Sequence, residues 1–385
     1  MPMLPEIFWG PVANGFRRLA QWRKSGTLGE ELKSRRGPAV RLESLEPRLL
    51  LSADINYAAA SGAVLDAALR IADVDGTQML QLLDNESNAV LGQEALDEDI
   101  NVTLSGGDLN DSLIIDFNSG ATPHQINVLF DGGAGNDALR GPAENTIWNI
   151  TGANSGSAGA VSFSGVENLQ GAADNEDTFV FAASGNLSGV ADGGAGGFDS
   201  LVILGSYTTI VFSPTGPDSG SVTLDGAGIT YSGLEPVDTT GSAAGNLVLN
   251  LTGADEVAFL EDDGVAANGI SRLRSGNATF ETHTFATPAT SLTVNLEDGA
   301  DTLTLSALDS LFDANVTINA GAGNDDITLS AKTGAGTYTI NGQGNTDTVH
   351  VTRDANMTLT NTQLTVATDV FGLSGIESAV LTGGA

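Results

Sequence analysis

The sequence predicts an all-β protein whose main part is a right-handed parallel β-helix, or β-solenoid, with coils of about 22–24 residues. Three observations indicate this fold class. Short runs of alternating β-branched and aliphatic residues, such as INVTL, SLTVNL and DITLSA, recur along most of the chain and are typical of strands. Turns rich in Gly, Asn and Asp separate these runs at intervals that match one coil of a solenoid. After residue 100 no long helical periodicity is present. A β-sandwich is the alternative, and the near-regular turn spacing favours the solenoid.

A basic leader, residues 1–56, precedes the repeats. It contains nine of the 15 Lys and Arg residues of the chain and six of its 48 Asp and Glu residues. The stretch GPVANGFRRLAQWRK predicts a short amphipathic helix with Phe16, Leu19 and Trp22 on one side, and a disordered basic segment is the alternative. We therefore expect a leader that is partly helical or disordered. No apolar run in the sequence reaches the roughly 18 residues of a transmembrane helix, so no transmembrane segment is expected.

The remaining residues, 57–385, form an acidic repeat region. They include 6 basic and 42 acidic residues, a balance that repels nucleic-acid phosphates and attracts cations. We therefore expect no nucleic-acid partner. The chain contains no Cys, which excludes disulfides and thiolate metal sites. An exported form would need another source of rigidity.

Acidic residues in the turns define the repeat, because each is followed two positions later by an aliphatic or aromatic residue. Most of the gaps between successive acids are close to one coil or to two coils in length, and the gap from Asp199 to Asp255 requires an insertion. The positions are Asp111, Asp137, Asp177, Asp199, Asp255, Asp301, Asp325 and Asp347. A second repeat consists of the turns FSGVE, YSGLE and LSGIE, which end at Glu167, Glu235 and Glu377. The second spacing between these glutamates is close to twice the first, and the unit corresponds to roughly three of the shorter periods.

The stretch Gly132–Arg140, GGAGNDALR, follows the pattern G-G-x-G-x-D-x-U-x, in which U is a large apolar residue. Its glycines can adopt positive φ and turn backbone carbonyl groups toward one point. Asp137 supplies a carboxylate oxygen of the kind that calcium prefers. Leu139 is expected to point inward and to anchor a short strand.

One carboxylate is rarely enough for a calcium site, so the neighbours of each loop matter. If the spacing equals one coil, the turns at Asp301, Asp325 and Asp347 are expected to stack along one edge, at about 4.8 Å per strand. Asp111 is the nearest candidate neighbour of Asp137. Carboxylates this close repel one another without cations, which favours calcium. The alternative is that the loops are Asx and Gly turns, in which Asp side chains accept backbone amide hydrogen bonds.

The stretch Gly132–Arg140 resembles the haemolysin-type (RTX) calcium-binding repeat. The match is complete there and partial in GGDLNDSLI (106–114), GGAGGFDSL (193–201), AGAGNDDIT (320–328) and NGQGNTDTV (341–349). The resemblance implies that Ca²⁺ lies between loops of neighbouring coils. The implied metal ligands are Asn110, Asp111, Gly133, Gly135, Asn136, Asp137, Asp199, Asp301, Gly321, Gly323, Asn324, Asp325 and Asp347.

Both ends of the chain carry a further indication. LESLEPRLLLSAD (42–54) resembles the LEPR-XLL segment found near the start of very large bacterial surface or secreted proteins. This resemblance implies an extracellular or bacterial cell-surface location. At the other end, SGIESAVLTGGA stops where another glycine loop would begin, so we expect the chain to be cut off within a repeat. The residues that match the LEPR-XLL core are Leu45, Glu46, Pro47, Arg48, Leu50 and Leu51.

These observations predict a secreted or cell-surface calcium-binding repeat protein with a structural or adhesive role, in which calcium couples export to folding. Besides calcium ions, the expected partners are cell-surface or extracellular polysaccharides or proteins. A calcium-independent β-solenoid stalk or passenger is one alternative. A β-helix enzyme that acts on polysaccharides is the other, and it would rest on a local cluster of mixed chemistry. We do not expect an enzyme, because the sequence contains no recognisable catalytic motif. The cluster consists of Arg272, Arg274, Glu281 and His283.

Overall fold

The computed structural model describes residues 54–118, 122 and 124–383. These residues form strands and turns without any helix, in agreement with the predicted all-β class. The predicted amphipathic helix and the LEPR-XLL segment up to residue 53 lie outside the described residues. Residues 54–56, which the sequence analysis placed in the leader, belong to the first strand.

The strands are short because Gly, Asn and Asp interrupt each alternating run. In chain order they are β1 (Asp54–Ala58), β2 (Asp66–Val74), β3 (Thr77–Asp84), β4 (Val90–Ala95), β5 (Ile100–Ser105), β6 (Ser112–Asp116), β7 (Ile126–Asp131), β8 (Ala138–Arg140), β9 (Ile147–Gly152), β10 (Ser155–Ala158), β11 (Val161–Ser164), β12 (Asn168–Gln170), β13 (Thr178–Phe181), β14 (Val190–Asp192), β15 (Ser200–Ile203), β16 (Gly205–Pro214), β17 (Gly220–Leu224), β18 (Ala227–Ser232), β19 (Val237–Thr239), β20 (Ser242–Asn250), β21 (Val257–Asp262), β22 (Ile270–Ser275), β23 (His283–Ala286), β24 (Ser291–Asn295), β25 (Thr302–Leu305), β26 (Asn315–Ala322), β27 (Asp326–Leu329), β28 (Tyr338–Gly344), β29 (Thr348–Thr352), β30 (Met357–Thr360), β31 (Gln363–Val366), β32 (Asp369–Ser374) and β33 (Ser378–Thr382).

The strands form two long sheets, and the chain passes repeatedly from one sheet to the other. Sheet A has the order β1-β5-β7-β11-β10-β9-β13-β15-β19-β23-β22-β21-β25-β27-β29-β33. Sheet B has the order β4-β3-β2-β6-β8-β12-β14-β18-β17-β16-β20-β24-β26-β28-β32-β31-β30. We call one pass through both sheets a coil. Most neighbouring strands come from successive coils and are parallel; Leu303, for example, pairs with Ile327, which pairs with Val349. This architecture is compatible with the predicted β-solenoid.

Inward-pointing side chains of both sheets form one continuous hydrophobic core. Burial alternates along the strands, as in β5 and β7, because successive side chains point to opposite faces of a sheet. Equivalent inward residues stack from coil to coil: the rings of Trp148 and Phe179 lie 5.2 Å apart and 5° from parallel. Each large apolar side chain that is fully buried contributes about 1.5–3 kcal/mol, so this core is the main source of stability.

Hairpins interrupt the parallel stacking at five places in the described part of the chain. At each, three consecutive strands pair antiparallel: β2–β4, β9–β11, β16–β18, β21–β23 and β30–β32. Strands β16–β18 lie within the long gap between Asp199 and Asp255 that the sequence assigned to an insertion, so that prediction is confirmed. The three SGxE turns directly follow β11, β18 and β32. The second sequence repeat therefore marks the return of the chain from a hairpin.

An asparagine ladder joins the C-terminal coils on sheet B. The Nδ2 groups of Asn295, Asn319 and Asn341 each donate a hydrogen bond to the Oδ1 atom of the asparagine in the preceding coil, at 2.7–2.8 Å. The first acceptor in this series is Asn250. The ladder fixes the register of four strands from outside the hydrophobic core.

Candidate functional site

The turns that lead from sheet A into sheet B carry a first row of carboxylates, Asp111, Asp137 and Glu167. Asp111 Oδ1 accepts the backbone N–H of Leu65 at 2.6 Å, and Asp137 Oδ1 accepts that of Asp111 at 2.6 Å. Glu167 Oε2 accepts the backbone N–H of Asp137 at 2.7 Å. Both aspartates are buried. The predicted stacking of Asp111 next to Asp137 is therefore confirmed.

The turns that lead from sheet B into sheet A carry a second row. In it, Asp301 Oδ1 accepts the backbone N–H of Glu256 at 2.8 Å, and Asp325 Oδ1 accepts that of Asp301 at 2.8 Å. Asp347 Oδ1 accepts the backbone N–H of Asp325 at 3.0 Å. The predicted stacking of the turns at 301, 325 and 347 along one edge is confirmed. The members of the second row are Asp177, Asp199, Glu256, Asp301, Asp325, Asp347 and Glu377.

The predicted ligands therefore fall into two groups at different turns of the coil. Asp111 and Asp137 precede strands of sheet B, whereas Asp199 precedes a strand of sheet A. The carboxylates of Asp301, Asp325 and Asp347 follow one another in the second row. Asp199 also belongs to this row, where its Oδ1 accepts the backbone N–H of Asp177 at 2.6 Å.

In the complete glycine motif, 132–140, coil stacking by itself requires each glycine of the pattern. A Cβ on Gly132 would lie 2.2 Å from the carbonyl oxygen of Gly165 in the next coil. Gly133 and Gly135 have φ values of 96° and 145°, which disfavour other residues. Leu139 points into the core and is buried, as predicted. The motif thus folds as a tight corner whose backbone touches both adjacent coils.

The other predicted ligands also make contacts between turns. Asn110 Oδ1 accepts the backbone N–H of Asn136 at 2.9 Å, and Asn324 Oδ1 accepts that of Thr346 at 3.0 Å. A Cβ on Gly321 would lie 1.6 Å from the carbonyl oxygen of Glu297. Gly323 has a φ of 153° and is equally close to a backbone carbonyl group. These residues are therefore part of the stacked turns.

The repeat position at 255 is predicted wrongly. Glu256 lies in the second row and is buried, whereas Asp255 is exposed and its Oδ1 accepts the backbone N–H of Ala300 at 2.8 Å. Sequence reasoning also missed Glu167 and Glu377 as row members. The sequence signal for both residues was the SGxE repeat, to which the sequence analysis assigned no structural role.

Burial raises the pKa of Asp137 in the first row and of most carboxyl groups in the second row. The pKa values of Asp177 and Asp325 rise to about 6, chiefly because their charged forms lose water. The neighbouring carboxylates of Asp301 and Asp347 raise the pKa of Asp325 further, whereas its hydrogen bond from the backbone amide of Asp301 lowers it. The same loss of water raises the pKa of Glu256 and of Asp301.

Several row carboxylates keep one oxygen free. Within residues 54–118, 122 and 124–383, the buried Oδ2 atoms of Asp137, Asp301, Asp325 and Asp347 have no hydrogen-bond partner. The buried Oε2 atom of Glu256 has none there either. A proton or a bound cation would each reduce the cost of burying such an oxygen.

These free oxygens fit a hard cation such as Ca²⁺, which binds carboxylate and backbone carbonyl oxygens. No three acidic or histidine side chains converge to hold a metal ion in the part of the chain that the structure describes. An ion would therefore be bound by one or two carboxylates together with backbone carbonyl groups of the glycine turns. Glu256 and Asp301, in adjacent coils, offer two free carboxylate oxygens.

The residues on which the enzyme alternative rested do not form one site. Arg272 and Arg274 both donate to Glu261 Oε1, at 3.0 Å and 2.7 Å, and are partly exposed. Glu281 and His283 are fully buried in the interior. There the hydroxyl group of Tyr231 donates to Glu281, and His283 Nε2 lies 2.9 Å from Thr239 Oγ1.

Comparison with known proteins gives no match: no protein-family model, no curated protein and no solved structure is significantly similar to this chain. In the described residues no helix has the length and apolar character needed to cross a membrane.

Proposed function

We propose that this chain is a secreted or cell-surface repeat protein with a structural and adhesive role. Its repeat region is a right-handed β-solenoid whose carboxylate rows bind calcium. The observation that carries the proposal is the second row, in which the acidic residues from Glu256 to Asp347 each belong to one coil and contact the next.

A structural role is supported by the way in which neighbouring coils are joined. Each row carboxylate except that of Glu256 accepts an amide hydrogen bond from the adjacent coil, and a hydrogen bond to a charged group contributes about 1.5–3 kcal/mol. The asparagine ladder adds a parallel series of bonds on sheet B. Coils that contact mainly their nearest neighbours behave as a repeat array, in which stability accumulates along the stack.

Calcium binding is supported by the free oxygens of the rows. Bound calcium supplies positive charge between carboxylates that otherwise repel one another. In the first row Asp137 would hold it through its free Oδ2, beside Asp111, whose two oxygens also accept the backbone N–H groups of Leu65 and Gly107. In the second row Asp301, Asp325 and Asp347 would hold it, together with carbonyl groups of the glycine turns. In calcium-poor cytosol the uncompensated charge would weaken the stacking and keep the chain loose for export. Extracellular calcium, on the order of 10⁻³ M, would then order the coils.

A second candidate function is a calcium-independent solenoid stalk or passenger. It is supported by the finding that the Oδ1 atoms of Asp137 and Asp325 already accept backbone amides. It is also supported by the structural requirement for glycine at 132, 133 and 135. In this case the buried carboxyl groups would be protonated in part instead of metal-bound.

Thermal unfolding and circular dichroism of the full chain in EDTA and in millimolar calcium separate the two candidates. Calcium-coupled folding predicts a higher melting temperature and more β signal in calcium than in magnesium or sodium at the same ionic strength. The Asp137→Asn variant should respond less than the wild type, and Asp255→Asn, which changes an exposed acid, should respond fully. An identical melting temperature and β content with and without calcium would exclude calcium-coupled folding and leave the calcium-independent stalk as the remaining candidate.

The proposed location rests on the resemblance of residues 42–54 to the LEPR-XLL segment. The acidic, Cys-free composition is compatible with it. An adhesive role requires a surface that recognises a partner.

A further inference from the structure

A groove crosses the outer face of sheet B between the β2–β4 and β16–β18 hairpins. Its volume is about 540 Å³, and it is lined by residues of β6, β8, β12 and β14, with Ser232 of β18 at one end. With about 4.8 Å between neighbouring strands, these five strands span about 19 Å. Both the volume and the length are suited to a small or oligomeric ligand.

Arg140, the last residue of the glycine motif, lies in the middle of this groove. Its neighbours in register are Ile114 on β6 and Gln170 on β12. The side chain of Arg140 is exposed, and it makes no hydrogen bond or ion pair with any residue that the structure describes. The other basic residues of the described chain each donate to an oxygen atom of the protein; they are Arg70, Arg272, Arg274, Lys332 and Arg353.

The charge of the groove favours a ligand with a single carboxylate at Arg140. A guanidinium group presents its N–H donors as a fork that matches a carboxylate. More distant acidic residues are screened beyond about 8 Å at physiological ionic strength. Asp192, the acidic residue of the groove lining, lies two strands from Arg140, at about 10 Å. It would oppose a second negative charge at that end of the groove.

The rest of the lining favours a saccharide. Gln170 Nε2 donates to Asp192 Oδ2 at 3.2 Å in this exposed pair, and both side chains can exchange that bond for bonds to hydroxyl groups. Asn168 is already bonded within the protein, since its Nδ2 donates to Asn136 Oδ1 and its Oδ1 accepts the backbone N–H of Val190. Ile114 and Val190 provide apolar contacts, and sugars combine hydroxyl groups with apolar C–H faces. A peptide could not add to the sheet as an extra strand here, because β6, β8, β12 and β14 are already paired on both sides.

We propose that this groove binds a short stretch of an acidic polysaccharide, with one uronate carboxylate on Arg140 and the adjoining sugars on β12 and β14. The inference rests on the adhesive role proposed above and gives it a ligand class and a binding site. It does not depend on calcium in the carboxylate rows.

Fluorescence anisotropy with the full chain in calcium-containing buffer tests the inference. The probes are a labelled tetrasaccharide that carries one glucuronate and the neutral tetrasaccharide with glucose in its place. We expect the acidic probe to bind at least about tenfold more tightly, because of its charged hydrogen bonds to Arg140. Arg140→Gln should lose this preference, and Arg140→Lys should keep part of it. Lys332→Gln removes the same charge outside the groove and should bind as the wild type does.

The variants should fold normally, since Arg140 is exposed and has no bonded partner among the described residues. An unchanged melting temperature of Arg140→Gln checks this point. Equal affinity for the two probes, no binding of either, or unaltered binding by Arg140→Gln would each overturn the inference. Tighter binding of a labelled hexapeptide with one glutamate would overturn it as well. The calcium response of the same protein tests the proposed function separately. A calcium response without saccharide binding would therefore refute the proposal for the groove and leave the proposed calcium binding intact.

Discussion

Replacing Asp325 by Asn tests whether the charge of the buried carboxylate rows destabilises the folded protein when no cation is present. Asp325 lies within the second row and is 1% exposed. Its Oδ1 accepts the backbone N–H of Asp301 at 2.8 Å, and its own N–H donates to Asp347 Oδ1 at 3.0 Å. Asparagine keeps the Oδ1 acceptor and the backbone donor. The substitution therefore removes the charge and preserves the contacts between coils.

The size of the effect follows from the pKa of Asp325, which burial raises from 3.8 to about 6. A difference of two units corresponds to about 3 kcal/mol. Because the folded-state pKa lies above the unfolded one, the folded protein binds the proton more tightly. The contribution of Asp325 to the stability of the fold is therefore fully present at low pH, decreases as the pH rises through about 4–6, and is absent above that window. At about pH 8 without calcium, we expect Asp325→Asn to be more stable than the wild type by about 2–3 kcal/mol.

Urea unfolding in EDTA, followed by circular dichroism, measures this difference. Asp326→Asn is the matched control, because the neighbouring Asp326 is exposed and its side chain contacts His350 at the surface. Near pH 4 the two proteins should be almost equally stable, and with millimolar calcium the advantage of the variant should shrink or reverse. If Asp325→Asn is less stable than the wild type in EDTA at high pH, the charge stabilises the fold and the reasoning from burial is wrong.

Three further outcomes follow from the same structure. Gly132→Ala should lower the free energy of unfolding in urea by about 1–3 kcal/mol, because the new Cβ would lie 2.2 Å from the carbonyl oxygen of Gly165. Gly228→Ala is the control and should leave the free energy of unfolding unchanged, because a Cβ there meets open space. Burial raises the pKa of Glu281 to about 8. The wild type should therefore lose stability as the pH rises from the pKa of this residue in the unfolded chain through about 8. Glu281→Gln should flatten that part of a stability–pH profile. Asn319→Ala should lower the free energy of unfolding by about 1–2 kcal/mol, because it removes two hydrogen bonds of the ladder. Amide hydrogen exchange in the adjoining coils should become faster. Unchanged exchange there would contradict the role of the ladder.

The stacking of the C-terminal turns could be predicted from sequence because the spacing there equals one coil. Asp301, Asp325 and Asp347 follow one another at nearly equal intervals, and the chain between them contains one strand of each sheet without a hairpin. Under that condition equal spacing places equivalent residues side by side. The similar interval between Asp111 and Asp137 gave the correct neighbour for the same reason.

Spacing could not show which corner of the coil a turn occupies. The interval between Asp137 and Asp177 suggested two coils, but the first residue precedes a strand of sheet B and the second a strand of sheet A. A hairpin, β9–β11, supplies part of the length. A period in sequence counts residues, and it cannot separate a full coil from a part of a coil plus an insertion.

Two adjacent acidic residues were ambiguous for a different reason. The predicted repeat position is Asp255, which Val257 follows two positions later, but Ala258 follows Glu256 at the same interval. Ala258 is the inward residue and is 1% exposed. Because a shift of one residue moves every side chain of a strand to the other face, the choice depended on which alternation the rest of β21 followed. Only the packing of Leu260 against the core settles it.

The two sequence repeats are parts of one structural unit, and this bears on the calcium question. At three places a glycine turn of the Asp type lies directly against an SGxE turn of the next coil. The carbonyl oxygens of Gly165, Gly233 and Gly375 lie 2.2, 2.2 and 1.8 Å from the positions that a Cβ would take on Gly132, Gly193 and Gly342. At two of these places a glutamate side chain completes the row, because Glu167 and Glu377 accept the backbone N–H groups of Asp137 and Asp347. Stacking alone therefore accounts for the glycines and for the Oδ1 atoms of Asp137 and Asp347, which accept backbone amides of adjoining coils. It does not account for their buried Oδ2 atoms, which have no hydrogen-bond partner among the described residues, and it is there that a calcium ion or a proton must be sought.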